Sequence, residues 1–253
     1  MLRYFLSSLF LLANFVVSSA LDFVLIEPKN GLAPFYVATV PVSQNLFYEI
    51  MKRNPSFFRG ENLPVESLSW YEALVFCNLL SIIHHLEPVY YSHEGNKDVD
   101  AWGGWWGGIP NHRVSTWQRI SADQNANGYR MLTHAEWDYL YSVLKNELNE
   151  NLEKYAWVYT NSDNKTHPIG NKTPDSLGLL DFLGNVYEWR FNHHGDLPER
   201  YFRHRTQEDE LFYNSLSHER FRFQDFMIIR DIRGLWPVMR NPLLGLRIAR
   251  SKV

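Results

Sequence analysis

The chain has 253 residues, 45% hydrophobic and 21% charged, which is enough apolar material for one packed domain and excludes global disorder. The formal net charge is −3, so the basic excess that neutralises phosphates is missing and nucleic acid is not an expected partner. A single cysteine, Cys77, excludes any intrachain disulfide.

The chain opens like an export signal. Arg3 supplies a positive start, residues 4–17 are almost wholly apolar, and Ser18-Ser19-Ala20 offers a small-residue cleavage site. The apolar run is short for a bilayer span. The expectation is therefore removal of residues 1–20, a domain over residues 21–253, no stable membrane span, and a periplasmic or extracellular location. An exported fold without disulfides needs other reinforcement, and a bound metal is one kind.

Residues 21–40 alternate loosely between apolar and polar, with residues 35–40 the best strand. A helix follows from Ser43, with Leu46, Phe47, Ile50 and Met51 on one face, and Asn54-Pro55-Ser56 ends it. Ser69 and Glu72 form a capping box, opening a helix that turns Ala73, Leu74, Phe76, Cys77, Leu80 and Ile83 toward a core. Residues 101–110 are rich in Trp and Gly and fit no regular element. Their indoles either fold back onto the domain or form an aromatic binding platform. Thr133 and Glu136 form a second capping box, with Trp137, Leu140, Tyr141 and Leu144 inward on the helix that follows.

Residues 178–189 place Asp181 and Glu188 around a Gly184-Asn185 corner. That order suits a loop that folds carbonyls and carboxylates around a hard cation. The competing expectation is that the two acids cap turns or pair with arginines. Residues 190–233 are charged and irregular, as in a solvated insertion with local ion pairs. His84-His85 and His193-His194 are adjacent pairs, and adjacent residues on a helix point apart, so His84-His85 is a poor chelate.

Several blocks, in order, resemble the formylglycine-generating enzyme family, also called the sulfatase-modifying factor domain. They are Asn54-Pro55-Ser56-Phe57-Phe58, Pro64-Val65 with Ser69-Trp70-Tyr71-Glu72-Ala73, Phe76-Cys77-Asn78, the run Gly128-Tyr129-Arg130 through Glu136-Trp137, Thr166-His167-Pro168, residues 178–189, Arg233-Gly234, and Gly245-Leu246-Arg247. The resemblance implies a single α+β domain related to C-type lectins, with short irregular strands, a few helices and much loop. It implies a calcium site made by the side chains of Asp181 and Glu188 and the carbonyls of Gly184 and Val186. It also implies a second site drawing on Asn161 and the carbonyl of Ser162.

Enzymes of that family convert a sulfatase cysteine to formylglycine with molecular oxygen and a copper ion held by two cysteines. Those thiolates belong between the Arg233-Gly234 and Gly245-Leu246-Arg247 blocks, where residues 235–244 contain none. Cys77 falls in a helix block as a packing residue. Pro41, Met131-Leu132, His134 and Tyr187 also depart from the family pattern. No catalytic residue and no copper are therefore expected. The expected function is an exported, non-catalytic, calcium-stabilised scaffold for a protein or glycan partner. Residues 102–106 and 190–233 are its contact candidates. The alternative is an oxidoreductase with a rebuilt site near Arg130, His134 and Arg247, the two arginines otherwise pairing carboxylates or carbonyls in the core. The shortened C-terminal interval also leaves open whether the strands that finish the core are present.

Overall fold

The structure is a computed structural model that describes residues 21–102, 120–191 and 240–253. The signal segment, residues 103–119 and residues 192–239 lie outside the described residues, and with them Trp105, Trp106, His193-His194 and most of the charged insertion.

In chain order the elements are β1 (Phe23–Ile26), β2 (Phe35–Ala38), α1 (Gln44–Met51), α2 (Trp70–Ile83), β3 (Tyr90–Tyr91), a single 3₁₀ turn (Val99–Trp102), β4 (Ser121–Ala122), β5 (Tyr129–Met131), α3 (His134–Glu150), α4 (Leu152–Tyr155), β6 (Tyr187–Glu188), β7 (Leu244–Gly245) and β8 (Ile248–Ser251). The strands are short, the helices few and the loops long, which is the expected α+β character.

The main sheet has the order β1-β2-β8-β5, antiparallel throughout. The C-terminal strand β8 is interior: Ala249 stands opposite Val37 on one side and Arg130 on the other. The short C-terminal segment thus does supply the strand that joins β2 to β5. Side chains alternate across this sheet, as the two-residue period requires. Ala38, Met131 and Ile248 pack with α1 and α2 on one face. Phe35, Val37 and Ala249 pack with α3, Leu179 and Phe182 on the other.

The helices start where the sequence signals them. Ser43 Oγ accepts from Leu46 N at 3.1 Å, and Ser69 and Thr133 both form complete capping boxes. Strand β2 is shorter than expected, ending at Ala38 rather than residue 40. Ile83 is 36% exposed instead of inward, because it lies on the last turn of α2, where the chain leaves the sheet. Tyr141 is only half-buried and stacks on Trp137 at 5.4 Å. Trp102 is fully buried and its indole donates to the Asn96 carbonyl at 2.8 Å. This removes Trp102 from the contact candidates and makes it a core residue.

Arg130 is structural. It lies on the α3 face of β5 and makes two 2.7 Å bonds to Glu136, with both side chains 9% exposed. Glu136 also accepts from Thr133 N at 2.8 Å, so the capping acid of α3 doubles as the ion-pair partner that ties the helix to the sheet. Burial pushes the Glu136 carboxyl up, but the Arg130 charge and hydrogen bonds outweigh it and hold it below the usual carboxylate range. Glu136→Gln is expected to cost about 3 kcal/mol or more by urea denaturation at neutral pH. The sign with pH follows from the lowered folded value. The contribution is present above the unfolded carboxylate range and is lost as pH falls through the folded value of Glu136, so E136Q should flatten that part of the acid limb.

Candidate functional site

The turn over residues 178–189 coils because four of its residues take the left-handed conformation: Gly178 (φ 83°), Asp181 (φ 52°), Gly184 (φ 80°) and Asn185 (φ 57°). Gly184 is doubly required. Its φ disfavours a side chain, and a Cβ there would collide with the Trp157 carbonyl. Close approach lets Asn185 N donate to that carbonyl at 2.8 Å. The Asn185 side chain then clasps the backbone of His167, accepting from its N at 3.0 Å and donating to its carbonyl at 2.9 Å. The His167 ring stacks on Trp157 at 3.8 Å, and Lys172 Nζ sits 3.9 Å from the same indole.

This coil brings Asp181 and Glu188 into the interior, each at most 2% exposed. Asp181 Oδ2 accepts from Gly170 N at 2.8 Å. Glu188 Oε1 accepts from Arg247 Nε at 2.8 Å. Arg247 is fully buried and also donates to the carbonyls of Ala38 (2.9 Å), Leu180 (2.8 Å) and Asp181 (3.0 Å). The expectation that Arg247 pairs carboxylates and carbonyls in the core therefore holds. It also means that the cation already at this turn is a guanidinium.

One guanidinium does not balance the acids around it. Arg247 acts on Asp175, Asp181 and Glu188 alike, with Lys172 and His167 acting further on Asp181 and Arg190 on Glu188. Burial pushes all three carboxyls up, Arg247 opposes this in each case, and Asp181 pushes Glu188 further up. Asp175 Oδ2, Asp181 Oδ1 and Glu188 Oε2 are buried with no hydrogen-bond partner. Orphaned buried carboxylate oxygens call for a further positive charge or a proton. An all-oxygen donor set of buried carboxylates fits a hard cation such as calcium. Among the described residues no three Asp, Glu, His or Cys side chains converge closely enough to hold a metal by themselves, so carbonyls such as those of Gly184 and Val186 would have to contribute. The Gly184 carbonyl accepts from Val186 N at 2.7 Å.

The residues expected at a second site are engaged within their own turn. Asn161 Oδ1 accepts from Val158 N at 2.8 Å, and its amide donates to the carbonyls of Ala156 (3.1 Å) and Glu153 (3.4 Å). The Ser162 carbonyl accepts from His167 Nε2 at 2.8 Å and from Lys165 N at 3.1 Å. His167 thus links the two expected sites, bonding Ser162 through its ring and Asn185 through its backbone.

Asp175 is a site residue that the sequence pattern alone did not mark. Its Oδ1 accepts from Leu177 N at 2.9 Å and Leu179 N at 3.0 Å, and an Asp two and four residues ahead of such a turn is the signal that could have found it. His134 and Arg190 both face Asp138, and Cys77 lies on α2. His134 is 43% exposed, 3.3 Å from Asp138, and belongs to the first turn of α3. Arg190 lies 4.7 Å from the Trp137 ring, and burial brings its guanidinium down to about 10. Cys77 is fully buried and burial pushes its thiol well above the ordinary range, so thiolate chemistry is closed to it.

Gly184→Ala is expected to destabilise the protein by about 2 kcal/mol or more, since it combines strain at positive φ with a backbone collision. Chemical denaturation measures this. Gly31→Ala, at a φ of 90° with open space around it, is the control for φ alone and should cost clearly less.

Residues 26–252 match the sulfatase-modifying factor enzyme 1-like domain. The chain is 30% identical over 246 residues to "Chaperone protein LppX" of Paenibacillus barcinonensis, covering 87% of this chain and 81% of that one. Among solved structures it is similar to Treponema denticola variable protein 1, with 24% identity, a TM-score of 0.68, and 94% and 98% of the two chains covered. It is also similar to CarF, with 20% identity, a TM-score of 0.60, and 92% and 99% covered. These last two likenesses are of fold. With its interior C-terminal strand, its two capped helices and its coiled turn at residues 178–189, the chain belongs to the sulfatase-modifying factor enzyme 1-like family.

Proposed function

We propose that the chain is an exported, non-catalytic member of its family whose scaffold, reinforced by calcium, binds another protein. The observation that carries the non-catalytic part is Cys77. It is the sole cysteine, it is fully buried, and its thiol is held protonated by that burial. Copper chemistry in the family needs two thiolates, and one buried thiol supplies neither the number nor the access. In the interval where the resemblance implies those cysteines, Arg240 instead faces the buried Glu72. The relative named a chaperone favours a protein over a glycan as partner, since chaperones act on proteins. No helix among the described residues is long and apolar enough to cross a membrane, and the export proposal rests on Arg3, residues 4–17 and Ser18-Ser19-Ala20.

In this proposal Asp181 and Glu188 hold calcium with the carbonyls of Gly184 and Val186. The ion meets the carboxylate oxygens Asp181 Oδ1 and Glu188 Oε2, which have no hydrogen-bond partner. Asn161 and Ser162 would reach a second ion only by giving up the bonds they make to Val158 and His167.

Three measurements decide these points. Incubating the protein with a sulfatase-derived cysteine peptide, copper and oxygen should leave the peptide unchanged, whereas copper-dependent formylglycine would overturn the non-catalytic proposal. Calcium at a hundredfold its dissociation constant should stabilise the protein by about 2.7 kcal/mol in thermal melts, and Asp181→Asn with Glu188→Gln should cancel the gain. An equal gain in the double variant, or none in the parent, would place the ion elsewhere or nowhere. For the partner, affinity capture from secreted extract should recover a defined protein, and recovery of glycan alone would count against this choice.

A further inference from the structure

A second charge imbalance lies at the start of α2, apart from the residues of the coiled turn. Glu72 is completely buried and faces two guanidinium groups. Arg53 Nη2 meets its Oε1, and Arg240 Nη2 lies 2.7 Å from its Oε2, which also accepts from Ser69 N at 2.8 Å. Arg53 arrives just beyond α1, where Lys52 turns the chain with a φ of 54°. Arg240 arrives from the segment before β7, which is anchored by Ser67 N donating to the Asn241 carbonyl at 3.1 Å.

One carboxylate cannot neutralise two guanidinium groups. Arg53 Nε is buried with no acceptor, and Arg240 Nη2 meets Glu72 as an ion pair without a hydrogen bond. Burial, with the Arg240 charge added, brings the Arg53 guanidinium down to about 10, and burial lowers Arg240 as well. Yet the two side chains remain 24% and 29% exposed, so a small solute can reach them. A guanidinium presents five donors in a planar fork that matches oxyanions, and buried donors left unbonded are costly. Glu72 alone would be read from the sequence as a capping acid.

We propose that Arg53 and Arg240 together bind an oxyanion of the sulfate, phosphate or carboxylate class, which completes the neutralisation that Glu72 begins. The same chemistry can come from a free inorganic oxyanion or from an acidic side chain of a bound protein.

The test is binding to the purified protein, by calorimetric titration and thermal melting, at constant ionic strength made up with chloride. Inorganic sulfate is one probe, and N-acetyl-glutamate amide stands for a protein carboxylate. At tenfold over its dissociation constant the preferred probe should raise the melting temperature by roughly 3–6 °C. Arg53→Gln and Arg240→Gln should each abolish the rise. Arg59→Gln, which removes a bond to the exposed Asn54 carbonyl, should keep it. A stronger response to sulfate assigns the site to a free oxyanion, and a stronger response to the glutamate derivative assigns it to a protein acid. Should the glutamine variants fail to fold, Arg53→Lys keeps the charge without the fork and should weaken binding at least tenfold. The proposal is overturned by no heat and no rise with either probe, by an equal rise in Arg240→Gln, or by unchanged affinity in Arg53→Lys.

Discussion

Arg247 is the contact on which the described fold closes. Its guanidinium donates to Ala38 at the end of β2, to Leu180 and Asp181 in the coiled turn, and to Glu188 in β6. Arg247 itself immediately precedes β8, the interior strand of the sheet. A single side chain therefore holds the turn, the first hairpin and the C-terminal strand together. Burying a charge this deeply is tolerable only when it is paired and hydrogen-bonded, and here four oxygens accept from it. The dependence runs both ways. The left-handed turn exposes carbonyls with no helix or strand to receive them, and Arg247 is what receives two of them.

That arrangement sets the electrostatics of the candidate site. The turn needs acids to hold Arg247, and the buried acids around it outnumber it. The buried oxygens without hydrogen-bond partners on Asp175, Asp181 and Glu188 are the observation behind the calcium proposal. The same logic with the sign reversed operates at α2, where two arginines crowd one glutamate. Both places share a cause. A fold with little regular secondary structure must satisfy many loop carbonyls and amides with side chains, and charged side chains do so at long reach but in whole units of charge.

How much of this the sequence disclosed follows the range of the interactions. The two capping boxes were legible because Ser69 with Glu72 and Thr133 with Glu136 are local, and α2 and α3 begin where those residues indicate. The coiled turn was legible because its left-handed residues and two of its acids, Asp181 and Glu188, lie within residues 178–189, whereas Asp175 lies outside that run. The burial of Trp102 was one of two open alternatives, since nothing near it in sequence says which way an indole in a Trp-Gly stretch will turn. The partner of Arg247 at Ala38 is 209 residues away, and the meeting of Arg53 with Arg240 likewise joins the first helix to the last strands. Pairings of that kind are decided by the position of β8 in the sheet, which no local pattern carries. Glu72 and Glu136 show the limit in one residue each. Their capping role was readable, but their ion pairs with arginines from other elements were not.

The most direct test of the Arg247 account is a double-mutant cycle between Arg247 and Glu188, run in chelator so that no metal contributes. Urea denaturation of the parent, Arg247→Met, Glu188→Gln and the double variant gives the coupling free energy. If Arg247 is the closing contact, each single variant is strongly destabilised and the coupling is about 2 kcal/mol or more. Single-variant losses that add to within about 0.5 kcal/mol would show that the two groups act independently, and would contradict the account.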